Sequence, residues 1–323
     1  MSKMSTKPDQ DSTSLGSWHF DVFAHKSDRL VPLVVDMFNQ LGLLAHFSIA
    51  ESVLFAFLYK LEHIYQDKNP FHNFVHAFDV TQAAFCMLVQ FNVRRFLSPL
   101  DQLALMLAAI GHDAAHVGFT NAYLIATSHP LALLYNDISV LENHHAATTF
   151  RIMSEANDCD VLQTLCADDR RVVRKQMIAA ILATDMANHQ QWAERISTRY
   201  ARARDKGDAF ESDIVLPALL KLCDITNMFR SKALAEKWMT RITDEYFAQG
   251  DEMRRRDMSS IPEMFNRASS RPRQQITVGF VNAVVQPYFE QCIVPLLSSA
   301  DADYLRTLLN DNTVALLSTA NRV

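Results

Sequence analysis

The chain has 323 residues, 49% hydrophobic and 21% charged, which places it among folded globular proteins and outside disordered or collagen-like chains. With 7 glycines and 10 prolines it lacks the turn and phosphate-loop residues of an all-β sandwich or a glycine-rich nucleotide fold, so helices are the default. A formal charge of −5 leaves no global basic field for nucleic acid.

In chain order, residues 1–17 are polar, have no apolar signal-peptide core, and read as a disordered tail. Residues 18–323 read as one all-α domain, because nearly every later segment carries helical spacing. Phe38, Leu41, Leu44 and Phe47 open it, and Val53, Leu54, Phe57, Leu58 and Leu61 form a stripe that Pro70 is expected to stop. Ala77 to Val89 is the next helix, and Leu100 to Ile110 is apolar on almost every side, as a central helix would be. Leu131 to Tyr135 and Val140 to Ile152 follow, then a stripe from Val172 to Leu182 with Asp168 and Asp169 as its expected cap. Leu216 to Cys223 is expected to start near Pro217, and Trp238 to Phe247 continues the pattern. Gly250 to Arg273 reads as a long loop, and Ile276 to Leu297, interrupted by Pro287, closes the chain. No apolar run approaches the roughly 20 residues that a membrane span needs. The cysteines Cys86, Cys159, Cys166, Cys223 and Cys292 contain no C-x-x-C pair, suggest neither a disulfide framework nor a thiolate metal site, and fit a reducing, cytoplasmic setting.

The chemistry is concentrated in His72, His76, His112 and His116, which form two H-x-x-x-H pairs, each expected to lie on one face of a helix or helical turn. One such pair is more often core or surface histidine than a metal site; two in one chain change the balance. Asp113 and Asp224 each follow a strongly apolar segment and so are expected at interior helix ends, where a carboxylate needs a cation or several donors. Lys221 is the candidate partner if the bland reading, a buried salt bridge, holds. Imidazole and carboxylate without thiolate suit zinc with a companion magnesium or manganese, and hard cations with open positions favour phosphate-ester hydrolysis.

These residues sit in blocks that resemble the catalytic domain of class I cyclic nucleotide phosphodiesterases, within the HD metal-hydrolase superfamily. The blocks are Phe71 to Gln82, Gly111 to Asn121, Tyr135 to His145, Leu182 to Met186, Lys221 to Asn227, and Val278 to Phe280. Their order and spacing cover roughly residues 55 to 295. The resemblance implies an all-helical domain of about sixteen helices around a deep two-metal pocket. It assigns His76, His112, Asp113 and Asp224 to the tighter metal, expected to be zinc, with Asp113 bridging to magnesium or manganese. It also implies attack on a 3′,5′-cyclic nucleotide by a hydroxide shared between the metals, with His72 as the general acid that protonates the departing 3′ oxygen.

By the same resemblance His116, Glu142, Thr184 and Asp185 orient the metal ligands or their waters. His144 and His145 stay outside that set, since neighbours on a helix diverge by about 100° and at most one can face the site. For the base, the resemblance implies Phe280 as the stacking ring, Ile242 as the opposing wall and Asn227 as a polar contact; the bland reading of each is plain helix packing. Two departures stand out. Phe71 replaces a usual tyrosine, and Thr277 stands where a glutamine is expected, with Gln275 two residues out of register, roughly 200° around a helix. Either Thr277 takes the amide's place or a local bulge swings Gln275 inward. The substrate expected is cyclic AMP, cyclic GMP or both, with no nucleic-acid partner. The rival readings are an HD-type phosphohydrolase of noncyclic nucleotides and a noncatalytic binding module; the intact ligand set argues against the second.

Overall fold

The side chain of Asn73 accepts hydrogen bonds from the backbone N–H groups of Val75 and His76, and it starts a helix ahead of the apolar run that marked it in the sequence. The computed structural model describes residues 14–155, 157–269 and 272–320. Its helices in chain order are α1 (Leu30–Gln40), α2 (Leu43–Phe47), α3 (Glu51–Ile64), α4 (Phe74–Val89), α5 (Pro99–Gly111), α6 (Asn121–Ala126), α7 (Pro130–Leu134) and α8 (Val140–Glu155). They continue as α9 (Ala167–Leu182), α10 (His189–Lys206), α11 (Ser212–Asp224), α12 (Lys232–Arg255), α13 (Arg273–Phe280), α14 (Gln286–Tyr288) and α15 (Ser299–Ala320). The fold is all-α, in one domain, with no strand among the described residues.

The centre is built by α4, α5, α9 and α11. Helix α5 lies between α4 and α9, and α11 packs on both of them. Leu103 to Gly111 is buried throughout, as the all-round apolar sequence requires. Ser98 and Asp101 form a capping box at its start, and Pro99 occupies the first turn, where its missing N–H costs nothing. The opposite end delivers His112 and Asp113 into the interior.

Several boundaries differ from the sequence expectation. Helix α3 ends at Ile64, ahead of Pro70, because Tyr65 turns extended and its hydroxyl donates to the carbonyl of Ile110 at 2.9 Å. Cys166, not Asp168 or Asp169, caps α9. Helix α11 begins at Ser212 and carries Pro217 inside it. One backbone hydrogen bond is lost there, against the burial of the whole run Ile214 to Cys223. Helix α12 runs past Gly250 to Arg255, so the expected loop is shorter, and Pro287 does not break the last apolar helix. The π-helical turns Val281–Val285 and Phe289–Ile293 flank it and carry the chain through. Helices α10 and α15 were not anticipated.

Residues 1–13 of the expected tail lie outside the described residues, and 14–17 are not tail. Leu15 and Ser17 are buried, and Gln82 Nε2 donates to both of their carbonyls, at 2.8 and 2.9 Å. Beside them Arg230, fully buried, donates to Asp79 Oδ1 at 3.0 Å, to the Asp79 carbonyl at 3.1 Å and to the Trp18 carbonyl at 3.1 Å. The Trp18 indole donates to the Phe229 carbonyl, and Asn312 of α15 donates to the carbonyls of Met228 and Arg230. Both ends of the described chain are thereby fastened to the segment that follows Asp224.

Candidate active site

The two H-x-x-x-H pairs do not lie on single helix faces. Asn73 caps α4 between His72 and His76, leaving His72 outside the helix, and His112 ends α5, with the chain turning through Ala115 in the left-handed region before His116. Each pair therefore straddles a helix end and sends its members to different places. His76 and His112 meet Asp113 and Asp224 in one cluster; His72 and His116 meet Glu245 in another.

In the first cluster His76 Nε2 lies 3.1 Å from Asp224 Oδ1 and 3.5 Å from Asp113 Oδ2, and His112 Nε2 lies 3.3 Å from each of the same two oxygens. Four donors each about 2.1 Å from one cation would stand about 3.0–3.4 Å apart, depending on whether the geometry is octahedral or tetrahedral. The spacing fits a divalent metal. So does the hydrogen bonding: His112 Nδ1 donates to the Ala109 carbonyl at 2.8 Å, which fixes the tautomer that turns a bare Nε2 inward. His112 Nε2 and Asp113 Oδ2 are buried without any hydrogen-bond partner, a costly arrangement unless a cation supplies it. The salt-bridge alternative fails, because Lys221 spends its ammonium on the carbonyls of Ala183, Thr184 and Asp185, at 2.9, 3.3 and 3.3 Å. Burial pushes Lys221 down to about 8.

In the second cluster Glu245 is bonded to His72 Nδ1 and also accepts the backbone N–H groups of Phe71 and His72, at 2.9 and 3.0 Å. Burial works against a charged His72, but Glu245, then Asp113 and Asp224, outweigh it and raise the imidazole to about 9. Burial likewise works against the Glu245 carboxylate, and His72 outweighs it, holding Glu245 at about 2. His116 stacks on His72 with ring centres 4.0 Å apart and takes the Gly118 N–H on Nδ1. Burial and the neighbouring His72 drive its pKa well down, so it stays neutral.

A cavity of about 310 Å³ opens from these clusters and is lined by Asp113, His116, Glu142, His145, Thr184 and Asp185 among others. The four supporting residues expected from the sequence thus come together. Asn121 donates to Glu142 at 2.9 Å, yet burial and the neighbouring Asp185 raise Glu142 to about 7. Asp185 accepts from Ser139 Oγ, Asn188 Nδ2 and the Ala187 N–H, at 2.7, 2.9 and 2.8 Å. Of the adjacent pair, His145 is the one that faces the site. Its Nδ1 donates to the Ala114 carbonyl, and its Nε2 stands 3.6 Å from Asp113 Oδ1.

A second cavity, about 190 Å³ and mostly apolar, shares His72, Met186, Asp224 and Tyr246 with the first. Asn227, Ile242 and Phe280 all line it, and Phe280 is 41% exposed, its ring open to a ligand. From α13 the wall is Ile276, Thr277 and Phe280, and the helix is regular from Arg273 onward, so no bulge turns Gln275 inward. Thr277 Oγ1 donates to the Arg273 carbonyl at 3.1 Å, which leaves it an acceptor towards the cavity.

Sequence reasoning missed Glu245 and Tyr246. Both lie on α12, an acid-and-base-rich helix whose charges look solvated one by one. No sequence signal marked them, since the burial of Thr243, Glu245 and Gln249 in the middle of that helix is set by what the helix packs against.

An all-helical body with a four-donor His/Asp cluster beside a His/Glu pair has the make-up of a metal-dependent hydrolase. Residues 71–300 match the 3′5′-cyclic nucleotide phosphodiesterase family, and the chain belongs to it. It is 36% identical over 274 residues to the 3′,5′-cyclic-nucleotide phosphodiesterase regA of Dictyostelium discoideum, covering 84% of this chain and 34% of that protein. It is 35% identical over 271 residues to the high affinity cGMP-specific 3′,5′-cyclic phosphodiesterase 9A of Homo sapiens, covering 84% and 45%. Among solved structures, the phosphodiesterase domain of the RhoPDE fusion protein from Salpingoeca rosetta superposes with a TM-score of 0.87 at 30% identity, covering 96% of each chain. The chain spans a third to just under half of the two curated relatives' lengths. No described helix is long and apolar enough to cross a membrane.

Proposed function

We propose that this chain hydrolyses a 3′,5′-cyclic nucleotide to the 5′-monophosphate. The observation that supports the reading is the exchange between the two histidine pairs, which brings His76, His112, Asp113 and Asp224 together at metal-ligand spacing beside the Glu245-bonded His72, at the junction of a polar and an apolar cavity.

His76, His112, Asp113 and Asp224 would hold the tighter metal, zinc, and Asp113 would reach a second, magnesium or manganese, on the side lined by Glu142, Thr184 and Asp185. When bound, such a pair supplies Lewis acidity to the phosphate oxygens and a nucleophile at neutral pH. The chain's own residues do the rest. Glu245 occupies His72 Nδ1, which leaves Nε2 as the proton carrier for the departing 3′ oxygen. The charge of Glu245 keeps that proton on the ring at neutral pH, while neutral His116 does not compete for it. Phe280 and Ile242 take the base between them, with Asn227 as the amide at its edge and Thr277 as an acceptor.

Turnover of labelled cyclic AMP and cyclic GMP with added magnesium, beside a panel of noncyclic nucleotides, tests the reading. Activity on the cyclic substrates supports it. Hydrolysis of noncyclic nucleotides alone, by protein carrying its zinc, overturns it.

A further inference from the structure

On the far ends of α8 and α9, away from Glu142 and His145, the two helices and the chain between them enclose a concave groove of about 790 Å³. Four arginines line it, Arg151 from α8 and Arg170, Arg171 and Arg174 from α9, against a single lining carboxylate, Asp160. That concentration runs against the net negative charge of the chain. Like charges held together in a concavity repel one another, and a bound anion relieves that repulsion.

Two of the four are already positioned. Asp160 holds Arg170 at 2.8 Å, and Arg174 lies with its guanidinium carbon 4.2 Å from the centre of the Phe150 ring. Stacking on a ring face leaves the guanidinium edge and its N–H fork open, and among the described residues no carboxylate pairs with Arg174. The other two have exposed partners within one turn of their own helices: Arg151 stands 3.9 Å from Glu155, and Arg171 is hydrogen-bonded to Asp168. Exposed pairs of that kind are worth little and are readily exchanged for a better anion.

We infer that this groove is a binding site for a small organic bisphosphate, one phosphate monoester for each pair of guanidinium forks. Phosphate is the anion that planar forks bind in bidentate fashion, and four of them suit two such groups better than one. The site is separate from the one proposed for catalysis, and its occupant bridges the helices that carry Glu142 and lead into Thr184.

The test is isothermal titration of the metal-loaded protein with fructose 1,6-bisphosphate, with fructose 6-phosphate and sulfate at matched ionic strength as controls. Expected is saturable binding of the bisphosphate below about 1 mM, weakened at least about tenfold for the monophosphate and for sulfate. Arg174→Gln and Arg151→Gln should each cost a further several-fold, and Arg174→Lys nearly as much as Arg174→Gln, since a lysine keeps the charge but loses the fork. All three variants should keep their basal hydrolytic rate. Equal binding of all three anions, unchanged affinity in the glutamine variants, or displacement of the bisphosphate by a nucleotide analogue would overturn the site.

Discussion

Glu245 grips His72 at two points, the ring Nδ1 and the backbone N–H, the latter at 3.0 Å, and it grips Phe71 through a third bond. One carboxylate therefore sets both the charge of the imidazole and the path of the loop that presents it. Glu245→Gln keeps much of the shape and removes the charge. His72 has its folded pKa raised from 6.5 to about 9, so its proton is retained across neutral pH and lost as pH rises towards that value. A metal held by Asp113 and Asp224 would offset their charge at His72 and leave Glu245 as the neighbouring anion. The expected result is a basic limb of kcat at or below about 9 in the native protein, displaced to lower pH in Glu245→Gln. His72→Ala should retain its metals and lose about 10² to 10⁴ in kcat, with a smaller loss on a substrate whose leaving group needs no proton. A limb that stays put in Glu245→Gln would remove Glu245 from the proton-carrying role.

Removing one donor from the four-atom cluster should abolish turnover and metal together. Asp224→Ala and His112→Ala are expected to purify with little zinc and no detectable hydrolysis, read by metal analysis beside the assay. Chelation of the native protein should silence it, and added zinc with magnesium should restore it. Stoichiometric zinc with normal activity in both variants would mean that the ligands lie elsewhere.

The apolar cavity makes a graded prediction. Phe280→Ala should raise KM at least about tenfold, because a ring stacked on a base contributes roughly 1–3 kcal/mol. Gln275→Ala should leave KM nearly unchanged. With only an acceptor hydroxyl at 277, adenine and guanine should be poorly discriminated, and Thr277→Gln should sharpen the choice between them. A large KM penalty in Gln275→Ala would contradict the regular helix seen here.

Tyr246 lines both cavities beside His72 and Asp224, where the lost hydroxyl of Phe71 would otherwise have to be supplied. Burial, then Glu245 and Asp224, raise its phenol to about 12, so it remains a donor throughout the working range. Tyr246→Phe should lower kcat/KM about tenfold without loss of zinc, a loss of the size expected for one hydrogen bond to a charged group. Unchanged kcat/KM would make the ring a wall and nothing more.

Gly250 offers a test of how α12 is seated. A Cβ there would stand 1.8 Å from the carbonyl oxygen of Phe265, so the segment Glu263–Phe265 lies directly on the helix backbone. Gly250→Ala should destabilise the fold by about 1–3 kcal/mol, seen as a lower Tm. An unaltered Tm would show that the segment yields freely.

The parts of the site that a single sequence revealed were those written in short blocks. Asp113 and Asp224 could be read because each follows an apolar run that has to bury it, whereas grouping them with His76 and His112, and assigning Phe280 to the base, rested on the family resemblance of their blocks. The wrong step was to give each H-x-x-x-H pair one helix face; spacing says nothing about a cap such as Asn73 that falls between the two rings. Glu245 was illegible for a related reason. Its role depends on α12 crossing a loop 173 residues away in sequence, and nothing in a charged helix marks which acid will be turned inward. The helix boundaries erred where packing overrules local preference, as at Pro217 and Pro287.

Arg230 joins Trp18 near one end of the described chain to Asp79 in the centre, and Asn312 near the other end clamps the same strand of backbone from behind. Mechanically this is a bridle. A pull on the segment before Trp18 arrives at Arg230, three residues after Asn227 in the apolar cavity, without having to deform any helix on the way. Tension arriving at Arg230 would therefore be shared between the wall of the apolar cavity at Asn227 and, through Asp79, the first turns of α4, where His76 lies three residues away.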